Sequence, residues 1–86
     1  MKVEDVGRTL AVLDKHAKLP RNGNGVASVT IRQLMRQEAP NVDGILLEYI
    51  CAFGAHGKTA LEHYVSGLST ADKTAVFNAR SKEVKI

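Results

Sequence analysis

The sequence predicts a small all-α domain, a single bundle of four to five helices over residues 1–86 with one short extended segment near residues 26–30. Three observations predict it. Apolar residues recur at helical spacing in the first segment, cap-forming residues precede later segments, and residues 45–53 are almost wholly apolar. The 86 residues are 44% apolar and 24% charged, an ordinary globular composition with room for one core.

The first segment predicts an amphipathic helix of about four turns, because its apolar side chains recur at intervals of three and four residues. This helix is expected to end before Pro20, since the residue that precedes a proline disfavours helical geometry. Gly7 interrupts it and is expected to let a neighbouring helix approach closely. The apolar stripe is also suited to pairing with a partner or a second copy. Its members are Val3, Val6, Leu10, Leu13 and Ala17.

Residues 20–27 contain two Asn-Gly pairs, which predict a flexible loop. The β-branched residues that follow predict the extended segment at 26–30. Thr30 and Gln33 then match a capping box, which predicts a short helix from residue 30 to residue 38.

The next predicted helix covers residues 43–53, with Asn41 or Asp43 as its cap. It is apolar nearly all round, which predicts a helix surrounded by protein at the centre of the core. Its side chains Leu46 and Ile50 are therefore expected to be buried. Glycines 54 and 57 are expected to end it.

Two further capping boxes predict the last helices, one from Thr59 to Glu62 and the other from Ser69 to Asp72. Gly67 is expected to end the first of these helices. Residues 81–86 are predicted to form a frayed tail.

The net charge of +3 is distributed unevenly along the chain. Residues 1–37 carry seven basic and three acidic side chains, residues 38–72 one basic and five acidic, and residues 73–86 four basic and one acidic. Two basic ends therefore flank an acidic middle. The ends either form a patch for nucleic acid or an acidic protein, or are neutralised by the middle segment or solvated. The predicted partner-binding residues are Lys15, Lys18, Arg21, Arg32 and Arg36.

The chemical motifs argue against catalysis. Gly57-Lys58-Thr59 resembles the end of a phosphate-binding loop, but Ala52 stands where the full pattern needs glycine. Cys51, His56 and His63 lack the paired spacing and fourth ligand of a structural zinc site. We therefore expect no metal, no cofactor and no enzymatic activity.

The lone Cys51 rules out an intrachain disulfide and favours a reducing compartment. No apolar run reaches the roughly 18 residues needed to cross a bilayer, and the acidic start does not resemble a secretory signal. The sequence therefore predicts a cytoplasmic protein without membrane contact.

The leading functional hypothesis is a small regulator or adaptor that acts by protein–protein interaction as a homodimer. Proteins of this kind are common among phage- and plasmid-encoded regulators of host proteins. The alternative is a DNA-binding regulator, because the predicted helices at 30–38 and 43–53 imitate a helix-turn-helix. The second helix of that pair offers Asp43 and Glu48, which phosphates repel.

Overall fold

The computed structural model describes residues 2–16 and 26–83. These residues form five α-helices and one 3-10 turn and contain no strand. The helices are α1 (Val3–Lys15), α2 (Val26–Glu38), α3 (Gly44–Phe53), α4 (Gly57–Ser66) and α5 (Thr70–Glu83), and the 3-10 turn Gly54–His56 joins α3 to α4. The prediction of a small all-α bundle is confirmed.

Helix α1 is the central helix of the bundle. It packs along α5 and also contacts α2 and α4. Its predicted stripe is buried at Val6, Leu10 and Leu13, and residues outside the stripe, such as Thr9 and Val12, are buried as well. The stripe that could have paired with a second copy is therefore used by this chain's own core.

Gly7 allows α1 and α5 to approach closely, as the sequence predicts. A Cβ atom at this position would lie 2.6 Å from the Cβ of Ala79 and 2.7 Å from the backbone oxygen of Val76. Only glycine fits at this crossing without displacing the backbone of α5.

Helix α3 is not the central element, and the prediction that protein surrounds it is wrong. Its inner side chains Leu46 and Ile50 are fully buried, but Ile45 is 74% exposed and Phe53 45% exposed. Since α1 occupies the centre, α3 lies at the periphery and packs against α2, α4 and the 3-10 turn. One apolar cluster nevertheless connects all five helices; its members are Val6, Leu10, Val12, Leu13, Ile31, Met35, Leu46, Ile50, Cys51, Leu61 and Val76.

The predicted extended segment at 26–30 is wrong, because these residues form the first part of α2. The described residues supply no strand for such a segment to pair with, so helical hydrogen bonds satisfy its backbone instead. β-branched residues cost a helix only a few tenths of a kcal/mol each. Thr30 consequently lies within α2 and does not cap it. Of the predicted loop 20–27, residues 20–25 lie outside the described residues.

The predicted ends of α4 and α5 are partly confirmed. Helix α4 begins at Gly57 and not at a Thr59 cap, because Gly57 already has helical angles directly after the 3-10 turn. Gly67 follows α4, as predicted. The Ser69 hydroxyl accepts a hydrogen bond from the Asp72 backbone N–H at 3.2 Å and caps α5. Of the predicted frayed tail, residues 81–83 belong to α5 and residues 84–86 lie outside the described part.

Four charged side chains form a network that connects α1, α4 and α5. The Asp14 carboxylate accepts hydrogen bonds from Arg80 at 2.6 and 2.7 Å and pairs with Lys58 at 3.0 Å. Arg80 also donates to Glu62 at 3.2 Å. The hydrogen bond from Arg80, aided by Lys58, lowers the pKa of Asp14 below its ordinary value. The ionised form of Asp14 therefore stabilises the fold.

The Asp14→Asn variant is expected to unfold more easily than wild type near neutral pH, by about 1–2 kcal/mol, because Arg80 and Lys58 lose their shared anion. The pKa of Asp14 is lower in the folded state, so its contribution is present above the unfolded-state pKa, near 4, and is lost as pH falls through the folded-state pKa. Urea unfolding at several pH values should therefore show a gap between the two proteins that closes in acid. A gap that stays constant with pH would contradict the role of this network, and Glu4→Gln on the exposed side of α1 is the control.

Candidate interaction surface

On the outer side of α3, several exposed apolar side chains lie close together. We call Ile45, Tyr49, Ala52 and Phe53 the α3 face. Ile45 is 74% exposed, Phe53 is 45% exposed, and Ala52 is exposed. The half-buried Tyr49 ring lies 5.1 Å from the Phe53 ring with their planes tilted by 56°. At intervals of three and four residues, these side chains form one continuous apolar surface.

Local sequence fixes both ends of α3. The Asp43 carboxylate accepts a hydrogen bond from the Ile45 backbone N–H at 2.7 Å, so Asp43 is the N-cap that the sequence predicts. Gly54 ends the helix with a φ of 54°, which glycine adopts without strain. These two end signals therefore confine α3 to the segment that carries the α3 face.

An ion pair neutralises one edge of the α3 face. Arg32 on α2 donates to the Glu48 carboxylate at 2.7 and 3.3 Å. The hydrogen bond from Arg32 lowers the pKa of Glu48, so the carboxylate remains ionised and paired at neutral pH. Arg32, a predicted partner-binding residue, is thus engaged within the chain.

The other predicted partner-binding residues differ in their surroundings. Lys15 pairs with the Glu38 carboxylate at 3.0 Å, and His16 contacts the same carboxylate. The hydrogen bonds from Lys15 and His16 lower the pKa of Glu38. Arg36 is exposed on α2, and Lys18 and Arg21 lie outside the described residues.

These ion pairs show that the acidic middle segment neutralises basic residues of both ends. Glu38 and Glu48 pair with Lys15 and Arg32 from the first segment, and Glu62 pairs with Arg80 from the last. This was one of the alternatives that the charge distribution left open. The side chains of Lys15, Arg32 and Arg80 therefore already form ion pairs within the chain.

Arg8 lies between two surface cavities. One, of about 350 Å³, separates α1 from the turn after α2, and the other, of about 340 Å³, separates α1 from α5. The guanidinium of Arg8 donates to the buried Asp5 carboxylate at 2.6 Å. Because Asp5 already neutralises the charge between the two cavities, they are weaker candidates than the α3 face.

The residues that suggested catalytic motifs have structural roles. Cys51 is buried in α3, and loss of solvent raises the pKa of its thiol, which disfavours the nucleophilic thiolate. Lys58 pairs with Asp14, and a 3-10 turn precedes Gly57 where a phosphate-binding loop would follow a strand. Within the described residues, no three His, Cys, Asp or Glu side chains are grouped closely enough to hold a metal ion.

Comparison with protein families, curated proteins and solved structures finds no match for this chain. Among the described helices, none is long and apolar enough to cross a membrane. The functional proposal therefore depends on the chemistry of the surface itself.

Sequence reasoning missed Ile45 and Phe53 as surface residues, since it placed all of α3 in the core. A signal was present in the small and charged residues at every fourth position of the helix. Gly44, Glu48 and Ala52 share one side of α3, and all three are exposed. That row marks the solvent side of the helix, and Ile45 and Tyr49 lie beside it.

Proposed function

We propose that this chain is a small non-enzymatic regulator or adaptor that acts by protein–protein interaction and that another protein chain covers its α3 face. The observation that supports this proposal is the exposure of Ile45 and Phe53 on a helix whose only charged side chain, Glu48, is already paired. Clustered exposed apolar side chains are characteristic of interaction sites. Large aliphatic and aromatic side chains give the most binding free energy when a partner removes them from water.

The chemistry of α3 favours a protein over DNA as the partner. Helix α3 is the second helix of the α2–turn–α3 pair and would take the place of a recognition helix. It contains no Arg, Lys, Asn or Gln to read base edges, and its one charged side chain is the acidic Glu48, which is paired with Arg32. An apolar protein surface suits the α3 face better than a major groove does.

The proposal extends to a phage- or plasmid-encoded protein that binds a protein of its host. In that role, the exposed Arg36 on α2 would mainly accelerate association with an acidic protein.

Affinity capture from native lysate tests the proposal, with the tagged full chain as bait and with or without nuclease. We expect a protein partner that survives nuclease treatment, is lost with Ile45→Glu and is retained with Phe77→Glu. Phe77 is a matched control because it is 67% exposed but lies on α5. Circular dichroism would confirm that both variants fold.

Two results would contradict the proposal. One is recovery of nucleic acid alone, which would favour the DNA-binding alternative. The other is capture that survives Ile45→Glu but is lost when Arg32 and Arg36 are both reversed to glutamate. That second result would place the partner on the predicted basic residues and not on the α3 face.

A further inference from the structure

We propose that the outer side of α5 binds a single nucleic-acid strand, with one base stacked on the Phe77 ring and backbone phosphates paired with Lys73 and Lys82. This surface lies on a different helix from the α3 face, so the inference goes beyond the proposed function and does not depend on it. We call the exposed residues of this side the α5 face; they are Lys73, Thr74, Phe77, Asn78, Ser81 and Lys82.

The α5 face is the side of α5 that points away from α1. On the opposite side, Val76 is buried and its backbone lies close to Gly7 of α1. Phe77 is 67% exposed near the middle of the α5 face. Lys73 precedes it by four residues and Lys82 follows it by five, which places them about 6 and about 7.5 Å from Phe77 along the helix axis. Two cations therefore flank one exposed aromatic ring.

The two lysines of the α5 face are not neutralised by the described part of the chain. Residues 73–82 contain three basic and no acidic side chains. Arg80 is engaged by Asp14 and Glu62. Lys73 and Lys82 are exposed, and neither has an ion-pair partner among the described residues. Their charge is therefore available to an anionic ligand.

The cavity between α1 and α5 adjoins the α5 face at Asn78 and Lys82. Its volume is about 340 Å³, and Glu4 and Arg8 line its α1 wall. Arg8 is paired with Asp5, whereas Glu4 and Lys82 form no ion pair with each other. The cavity therefore leaves Lys82 available and gives a strand on the α5 face room beside it.

The single large apolar side chain of the α5 face favours a base over a protein or a membrane as its partner. The neighbours of Phe77 on this face are polar, namely Thr74, Asn78 and Ser81. A stable protein interface takes roughly 800 Å² from each partner, and an interfacial membrane helix presents a continuous apolar side. One ring meets neither requirement, but it is enough to stack with a base.

The combination of an aromatic ring and flanking cations favours a single strand over a duplex. Proteins that bind single strands combine positive charge along the backbone with aromatic rings on which bases stack. The bases of a duplex are stacked on one another, so the Phe77 ring cannot reach a base face unless the duplex opens. The Ser81 hydroxyl and the Asn78 amide add hydrogen-bond donors for phosphate or sugar oxygens.

Fluorescence anisotropy of a labelled oligothymidine of about 12 nucleotides, titrated with the purified full chain, tests the inference. We expect a dissociation constant on the order of 100 μM or below at low salt, and weaker binding to a duplex of the same length. Each phosphate contact contributes about −0.7 to the slope of log association constant against log salt, so two lysines predict a slope of about −1.4. An oligouridine of the same length should bind similarly, because DNA and RNA share the base faces and phosphates that this surface contacts.

Variants of the α5 face separate stacking from charge pairing. Phe77→Ala should weaken binding at least about fivefold because the stacking ring is lost, whereas Phe77→Tyr should bind like the wild type. Lys73→Gln and Lys82→Gln should each bring the salt slope about 0.7 closer to zero. The matched controls Ile45→Ala and Arg36→Gln remove an exposed apolar side chain and an exposed cation from other helices, and both should bind like the wild type. All of these positions are exposed, so the variants should fold, which circular dichroism would check.

The inference would be overturned by an absence of binding at low salt, by binding that Phe77→Ala leaves unchanged, or by a duplex that binds as tightly as the single strand. Equal affinity for a polyglutamate peptide of the same length would also overturn it, because the lysines would then recognise any polyanion. Failure here can be distinguished from failure of the proposed function. Ile45→Glu should retain the oligonucleotide and Phe77→Glu should lose it, which is the reverse of the expectation for the captured protein partner.

Discussion

Leu46→Ala and Ile50→Ala are each expected to lower the free energy of unfolding by about 2–5 kcal/mol. Both side chains are fully buried and belong to the cluster that connects all five helices. Truncation removes apolar contacts and leaves a cavity that the surrounding helices fill only in part. A domain of this length is typically stable by about 4–13 kcal/mol, so either change removes a large share of its stability.

Ile45→Ala is the control for these core variants because it makes the same kind of truncation on the opposite side of α3. Its side chain is 74% exposed, so we expect the free energy of unfolding to change by at most about 0.5 kcal/mol. Urea unfolding of the three variants at the same protein concentration gives the comparison. If Ile45→Ala lowered the free energy of unfolding as much as Leu46→Ala and Ile50→Ala do, the assignment of the inner and outer faces of α3 would be contradicted.

Gly7→Ala is expected to lower the free energy of unfolding by about 2–3 kcal/mol, although alanine favours a helix over glycine by about 1 kcal/mol. The added methyl group would lie 2.6 Å from the Cβ of Ala79 and 2.7 Å from the Val76 carbonyl oxygen. Backbone atoms cannot rotate away, so α1 and α5 must separate. Their separation also strains the Arg80–Asp14 hydrogen bonds that join the two helices.

Gly44→Ala is the matched control for this variant. A Cβ atom at Gly44 meets nothing within 4 Å, and the residue is the first of α3. We expect it to leave stability unchanged or raise it by about 0.4–1 kcal/mol, because alanine restricts the unfolded chain. If thermal unfolding showed similar losses for both variants, the close crossing of α1 and α5 at Gly7 would not account for the effect.

Features that depend on local chemistry could be predicted from the sequence. The all-α class, the burial of Leu46 and Ile50, and the Ser69 cap follow from apolar periodicity and from side chains that bond the nearby backbone. The role of Gly7 was also predictable, since a glycine within a helix is costly unless a neighbour needs the space.

Features that depend on which helices meet could not be predicted. The β-branched residues at 26–30 can form either a strand or a helix. They form a helix because the described residues contain no strand for them to pair with. An apolar helix such as α3 can be buried on all sides, or it can pack against the rest of the protein on one side only. Its peripheral position follows from the placement of α1 at the centre, which involves contacts distant in sequence.

The ion pairs between helices could not be predicted from the sequence either, because they also depend on which helices meet. Arg32 and Arg36 stand one turn apart on α2 and suggested joint action on a partner. The direction of Arg32 is set by Glu48 on the neighbouring helix. The charge distribution could only suggest that the acidic middle segment neutralises the basic ends.

The rate of maleimide labelling at position 45 tests most directly whether another protein chain covers the α3 face. The Ile45→Cys variant, in a Cys51→Ala background, would be labelled once in dilute buffer and once in native lysate. The account predicts rapid labelling in dilute buffer, where the face is free, and strong protection in lysate, with Phe77→Cys labelled equally fast in both. Equal labelling of Ile45→Cys in buffer and lysate would contradict the account, because it would show that no chain binds the α3 face.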